Sequence, residues 1–483
     1  MGEKIFMQKK ALLALMLALT MLLSSCALIQ KDPAVDAATE IIRVGDTVYT
    51  KAEVQYQIDY QLDYMAYMYS MYGMSYDVTD PANIAEAQTA VIDSLVAEAV
   101  RTAKAKELGL DQLTEEEKAE LQTTVDETVA EYREYIDNFY ITDDTLEGEA
   151  LEAEIDRLCA EMGVDAQTVT ESETMYFVQD KLYEHVTGDV TVSEEEIQAD
   201  FDAKVASEKE TYASDLSAYG YSVNNGTTVY YRPAGYRMVK QILVQFSDED
   251  QAAIDEANAA LTEAQTASST ALTALTDLGV EEPVTLSSQV SVTLDPATGE
   301  LVEAVAAFTE EQTEEVAAAA QELAVANAYA IYCEEKVAAL TAAAFANIDA
   351  EADDVLAQLE AGADWDTLMA EKTDDPGMQG DRETAKNGYA VCEDYYYFDE
   401  SFTAAAMAIP EVGQWSPKTE GSYGYYIVYY ASEVAEGPVA LDDVREGISA
   451  TLLTTKQEAK FNDTVAEWVA AADVKIDTKA LED

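Results

Sequence analysis

The chain has 483 residues, of which 95 are Asp or Glu and only 28 are Lys or Arg, so its formal charge at pH 7 is −67. A surface this negative repels phosphate backbones, which excludes nucleic acid as a partner, and it keeps the chain soluble and self-repelling. Apolar residues still make up 48% of the sequence, enough for real cores, and the length suggests two or three domains.

Lys4, Lys9 and Lys10 precede an apolar run, Ala11 to Leu23, that is too short for a stable membrane span; Leu23-Ser24-Ser25-Cys26 follows. A basic start, a short apolar core and small residues before a cleavage point make a secretory signal over residues 1–25. With cysteine at that point the segment resembles a bacterial lipobox. The resemblance implies that Cys26 is acylated and tethers the protein, extracytoplasmically, to the bacterial cell membrane. The alternative is an ordinary signal peptide with an incidental cysteine. Residues 26–40 read as a tether.

Ile41 to Thr50 reads as two brief strands around a Gly45-Asp46 turn, and Thr50 with Glu53 forms a capping box that opens a helix. That helix is crowded with aromatic and sulfur side chains. Tyr60, Tyr64 and Tyr67 share one face, and Met65, Met68 and Tyr72 share another. Two readings stand: a buried core helix, or a surface that holds protein clients through adaptable Met and Tyr contacts. Further helices are predicted from about Ile84 to Leu108, after the Thr114/Glu117 box and after the Ser193/Glu196 box. Asn225-Gly226 between β-rich flanks predicts a hairpin.

Tyr236 to Phe246 alternates as a strand does. From Ser247 to about Leu340 the sequence is rich in Ala and Glu, with helical spacing on both sides of Gly279-Val-Glu-Glu-Pro283 and turn- and strand-like pieces up to Leu301. It predicts a helical arm with an acidic, solvated face. Asp442 to Ala471 is amphipathic through Val444, Ile448, Leu452, Leu453, Phe461, Val465 and Trp468, and Val474-Lys475-Ile476 follows. Cys159, Cys333 and Cys392 are too few and too scattered for a disulfide framework, and no histidine lies near one to make it a nucleophile. There is no CxxC, HExxH, Walker or GxGxxG pattern, so neither metal nor cofactor is expected.

The segment Gly413 to Tyr430, GQWSPKTEGSYGYYIVYY, with Phe402, Met407 and Ile409 before it, resembles the C-terminal half of a parvulin-type peptidyl-prolyl isomerase domain. Gln241-Ile-Leu resembles the end of that family's first strand, Val355 to Leu368 its helix, and Lys372-Thr-Asp374-Asp375-Pro376-Gly377 its Asp-Pro turn. The strand-turn-strand-helix start and the phrase Val190-Thr-Val-Ser193-Glu-Glu-Glu196-Ile197 resemble PrsA- and SurA-type secretion foldases.

This resemblance implies an α+β protein: a mainly helical chaperone domain plus a small parvulin-like mixed-sheet domain carrying a long helical insertion. The helical domain would span 41–235, completed by 439–483. The parvulin-like domain would span 236–438, with the insertion at about 247–340. The partners would be unfolded or secreted proteins. By position, Gln241, Asp375, Phe402 and Tyr426 take the catalytic places. Phe398, Met407 and Tyr423 line the substrate pocket, and Met65, Met68 and Tyr72 add a client surface. The chain departs from the family at both histidine positions, which read Gln241 and Tyr426. The one histidine, His185, lies far upstream. Three functions follow: a prolyl isomerase assisting secreted proteins, a non-catalytic holdase with a degenerate parvulin domain, or a solute- or wall-binding lipoprotein.

Overall fold

The computed structural model describes residues 33–142 and 146–481. The signal segment, Cys26 and the tether up to residue 32 lie outside these residues, and the rest of the expected tether is a short helix, Pro33–Ala37, leading into a strand that starts at Glu40. Among the described residues no helix is long and apolar enough to cross a membrane. The class is α+β, helix-rich with small antiparallel sheets. The chain divides into two compact units. One holds the sequence up to Val192 and again from Ala450; the other holds Ser193–Ser449.

In the helical unit the strands Glu40–Val44 and Thr47–Thr50 pair around Gly45-Asp46, as the sequence predicts. Thr50 and Glu53 close their box and start the helix Lys51–Met71. Val54, Ile58 and Leu62 recur every four residues, so they form the one buried stripe of this helix, against Val91, Leu95 and Val96 of the helix Pro81–Glu107. Val474–Ile476 adds a third strand beside Glu40–Val44, with Ile42 opposite Ile476. Phe461 and Trp468 of the helix Leu441–Ala471 pack against Leu182 and Val186. The amphipathic C-terminal segment therefore completes this unit.

The second unit is built on a four-stranded sheet in the order Tyr389–Val391, Arg237–Gln245, Gly424–Glu433, Thr419–Gly421. Every pairing is antiparallel, not mixed as expected. Period-two alternation sorts the two central strands into two faces. Val239, Leu243, Tyr426 and Val428 enter one core, and Ile242, Val244, Tyr425 and Ile427 enter the other. The second core is completed by Ala344 to Leu359 and by Trp365, Leu368 and Met369.

The arm consists of the helix Asp248–Asp277 lying along the first part of Glu314–Glu360, with the hairpin Val290–Leu294 and Leu301–Ala306 between them. Its root is not separate from the sheet, because Ile254 is buried in the same core as Ile242.

Two expectations are corrected here. Asn225-Gly226 does not make a hairpin. Ser217–Asn224 is helical, Asn225 is its cap, and Gly226 turns back at φ 72° while Thr227 N–H donates to the Ser222 carbonyl. A helix C-terminus uses Gly in the left-handed region just as a tight hairpin does, so the dipeptide alone cannot separate the two. The sheet unit also begins earlier than residue 236. Tyr212, Tyr219 and Tyr231 share one core with Tyr236, Val239 and Tyr426, so the helices Glu194–Ser214 and Ser217–Asn224 belong with the sheet.

Candidate functional site

A cleft of about 530 Å³ opens on the first face of the sheet. Gln241, Leu243, Asp375, Phe398, Phe402, Tyr423 and Tyr426 line it, together with Tyr389, Tyr397, Asp399 and Ser422. Leu243 lies directly opposite Tyr426, and Gln241 lies opposite Val428, so these side chains emerge on one face. The hairpin Thr419–Gly421 to Gly424–Glu433 sets the mouth. Gly421 pairs with Gly424, leaving Ser422 and Tyr423 as a two-residue loop. Gly424 sits at φ 144°, where a Cβ would be 2.1 Å from the Val244 carbonyl oxygen, so only glycine fits. A Cβ on Gly421 would be 1.9 Å from the Tyr426 ring, so its bare backbone is what lets that ring lie across the strand.

The floor is aromatic. Phe402, 3% exposed, stands edge-on to Phe398 at 5.5 Å, to Tyr426 at 5.7 Å and to Tyr389 at 6.4 Å between ring centroids. Edge-to-face pairs of this kind are worth about 0.5–1.5 kcal/mol each beyond area burial.

The polar groups form two nests, each around one carboxylate. Asp375 accepts from Gln241 Nε2 at 2.7 Å, from the Tyr389 hydroxyl at 3.0 Å and from Gly377 N–H at 2.8 Å. It therefore caps the turn Pro376–Met378 and anchors the network at once. Thr373 holds this loop to the strand, accepting from Leu243 N–H and Asp375 N–H. Gln241 Oε1 is buried and, among the described residues, no donor reaches it. Asp399, the N-cap of Glu400–Ala408, accepts from Ser401 N–H and its hydroxyl, from Ser422 N–H at 2.8 Å and from the Tyr426 hydroxyl at 3.3 Å. Burial pushes the Asp399 carboxyl up, but the hydrogen bonds from Ser401 and Ser422 outweigh it and hold it down at about 2. Burial, reinforced by the carboxylate each one faces, raises the Tyr389 and Tyr426 hydroxyls, so both stay protonated donors.

Six of the seven residues predicted for this site thus meet: Gln241, Asp375, Phe398, Phe402, Tyr423 and Tyr426. Met407 does not line the cleft and is packed against the core beside it. Tyr389 and Asp399 were not foreseen. A signal for Asp399 is its position as an N-cap one turn ahead of Phe402; the run Tyr395-Tyr396-Tyr397-Phe398 marks the aromatic wall. In the helical unit Tyr72 is 73% exposed, whereas Met65 and Met68 are half-buried. The open stripe is instead Tyr56, Tyr60, Tyr64 and Tyr67. His185 is exposed on the helix Ala166–Thr187 of that unit, and Cys159, Cys333 and Cys392 are buried free thiols.

Asp399 carries a pH signature. Its folded pKa lies below the usual 3.8, so the stability it supplies is complete above 3.8 and is lost as pH falls from there to about 2. Asp399→Asn should flatten the acid limb of the stability curve across that window, measured by urea unfolding at stepped pH. An unchanged limb would mean that the nest contributes nothing.

No protein-family model and no curated protein matches the chain. Solved structures give distant matches. One, from work on the Campylobacter jejuni SurA-like chaperones PEB4 and Cj1289, is 13% identical, covers 72% of this chain and 95% of its own, and has a TM-score of 0.24. The foldase PrsA of Streptococcus pneumoniae is 13% identical over 92% of this chain and 97% of its own, with a TM-score of 0.24. The peptidylprolyl isomerase PrsA of Bacillus cereus has the same identity and coverage and a TM-score of 0.17. TM-scores this low fix neither fold nor function, and the functional reading rests on the cleft.

Proposed function

We propose that this protein is an extracytoplasmic foldase of the holding kind, tethered through Cys26, whose cleft binds proline-containing segments of secreted proteins and turns them over poorly. One observation carries the reading. Three side-chain donors of the cleft, the buried Gln241 Nε2 and Tyr426 hydroxyl and the half-buried Tyr389 hydroxyl, are held by Asp375 or Asp399.

Rotating a prolyl bond means crossing about 20 kcal/mol of amide resonance, and a catalyst must favour the twisted amide over the planar one. An apolar aromatic wall accepts the ring of either state. Discrimination needs a polar group free to follow the twist, and here these three donors are committed to carboxylates. Gln241 Oε1, an acceptor without a donor, can still take an N–H from a bound chain. The exposed Tyr stripe from Tyr56 to Tyr67, with Tyr72, offers a second client surface that needs no chemistry.

The test pairs two assays on one preparation. An Xaa-Pro peptide isomerisation assay should show little acceleration, while aggregation of an unfolded secreted protein should be suppressed. Robust turnover would overturn the poor-turnover reading and restore a plain isomerase. Failure in both assays would favour a solute- or wall-binding lipoprotein.

A further inference from the structure

We infer that the cleft is selective, taking proline segments in which arginine is the neighbouring residue; this rests on the proline-binding reading above and adds the substrate class. The aromatic cleft does not end at Asp399. A second concavity of about 560 Å³ shares Asp399 and Ser422 with it and is otherwise lined by Glu400, Ser401 and Ala404. A segment whose ring sits against Phe402 thus has its next side chain within reach of a rim that carries two carboxylates.

No Lys, Arg or His lines either concavity. Among the described residues, the lining of the rim near Asp399 thus offers no cation of its own.

The two rim carboxylates work differently. Asp399 already accepts four donors, two on each oxygen, so it contributes charge and no further hydrogen bond. Glu400 is exposed and, among the described residues, makes no side-chain hydrogen bond or ion pair, so both of its oxygens are available to a guanidinium. Tyr397 and Tyr423 stand at the cleft mouth 48% and 55% exposed. A planar guanidinium stacks on such a ring while its edge reaches a carboxylate, which a lysine ammonium does less well. The order of preference that follows is Arg, then Lys, then an aliphatic residue, with Glu or Asp last.

The experiment measures fluorescence anisotropy of labelled hexapeptides on the full mature chain. The peptides are Gly-Ala-Xaa-Pro-Ala-Gly and Gly-Ala-Pro-Xaa-Ala-Gly, with Xaa as Arg, Lys, Leu or Glu. In one of the two orders the Arg peptide should bind about fivefold more tightly than the Leu peptide at low salt, the size of an exposed charge pair. Raising salt to about 500 mM should close most of that gap. Glu400→Gln should shrink the Arg-to-Leu affinity ratio, and Tyr423→Leu should shrink the Arg-to-Lys ratio; both positions are exposed, so the fold is not at stake. Equal binding of Arg and Leu peptides would overturn the selectivity and leave the cleft reading intact. Absence of binding by every peptide would overturn both.

Discussion

Replacing Phe402 with alanine should lower the stability of the sheet unit by about 3–5 kcal/mol, the usual cost of removing a buried phenylalanine. Phe402 is 3% exposed, and three aromatic rings rest edge-on against it. Against a total of about 5–15 kcal/mol, such a loss takes roughly a third to a half of a mid-range margin, enough to confound a binding assay with partial unfolding. Alanine therefore cannot separate binding from folding, and Phe402→Leu is the sharper variant. Leucine keeps most of the volume and costs about 1 kcal/mol, but it removes the ring face on which a proline would lie. The leucine variant should keep its cooperative melt and lose at least tenfold in affinity for a proline peptide, while aggregation suppression changes little. Met407→Leu is the matched control, because that side chain lies beside the cleft and not in it. Undiminished peptide affinity in Phe402→Leu would remove Phe402 from the binding floor.

The second large effect concerns location. Cys26→Ala should move the protein from the membrane fraction to the soluble fraction almost completely. The motive is the Leu23-Ser24-Ser25-Cys26 sequence behind a basic, apolar leader. One acyl chain gives marginal, reversible attachment, so stable anchoring takes two chains or more, and all of them would hang from this one sulfur and amine. The described helices offer no substitute span. The check is fractionation with and without detergent, with intact-mass measurement of the released protein. A variant that still sediments with membranes would end the lipid-anchor reading.

What the sequence disclosed, and what it hid, follows the range of the interactions. The boxes at Thr50/Glu53, Thr114/Glu117 and Ser193/Glu196 are visible in the letters because both partners lie within one turn, and all three form. The alternation of Tyr236 to Phe246 is equally local. Asn225-Gly226 was misread because one backbone conformation serves two kinds of turn.

The cleft lies between these extremes. Gln241 and Asp375 are 134 positions apart, and the resemblance to a known motif order, not any periodicity, brought them together in the reading. Tyr389 escaped it because none of the motif segments includes it; only the fold shows its hydroxyl on Asp375. The helix Lys51–Met71 shows the converse. Its apolar residues surround it, so sequence could not say which stripe faces inward, and Val54, Ile58 and Leu62 won over the methionines.

The pairing of Ile42 with Ile476 sets an order of events in time. The helical unit lacks its third strand and the helix bearing Phe461 and Trp468 until nearly the whole polypeptide has emerged, whereas everything the sheet unit needs lies within Ser193–Ser449. A chain that emerges from its N-terminus can therefore finish the middle first. Once that middle is compact it no longer behaves as a long flexible loop, and even if it did, each doubling of length would add only about 0.6 kcal/mol to closure. The delay is kinetic. Until its last residues arrive, a nascent molecule carries Ile42, Val44 and Leu182 without their final cover. For that interval it is itself a candidate for the help it would later give to others.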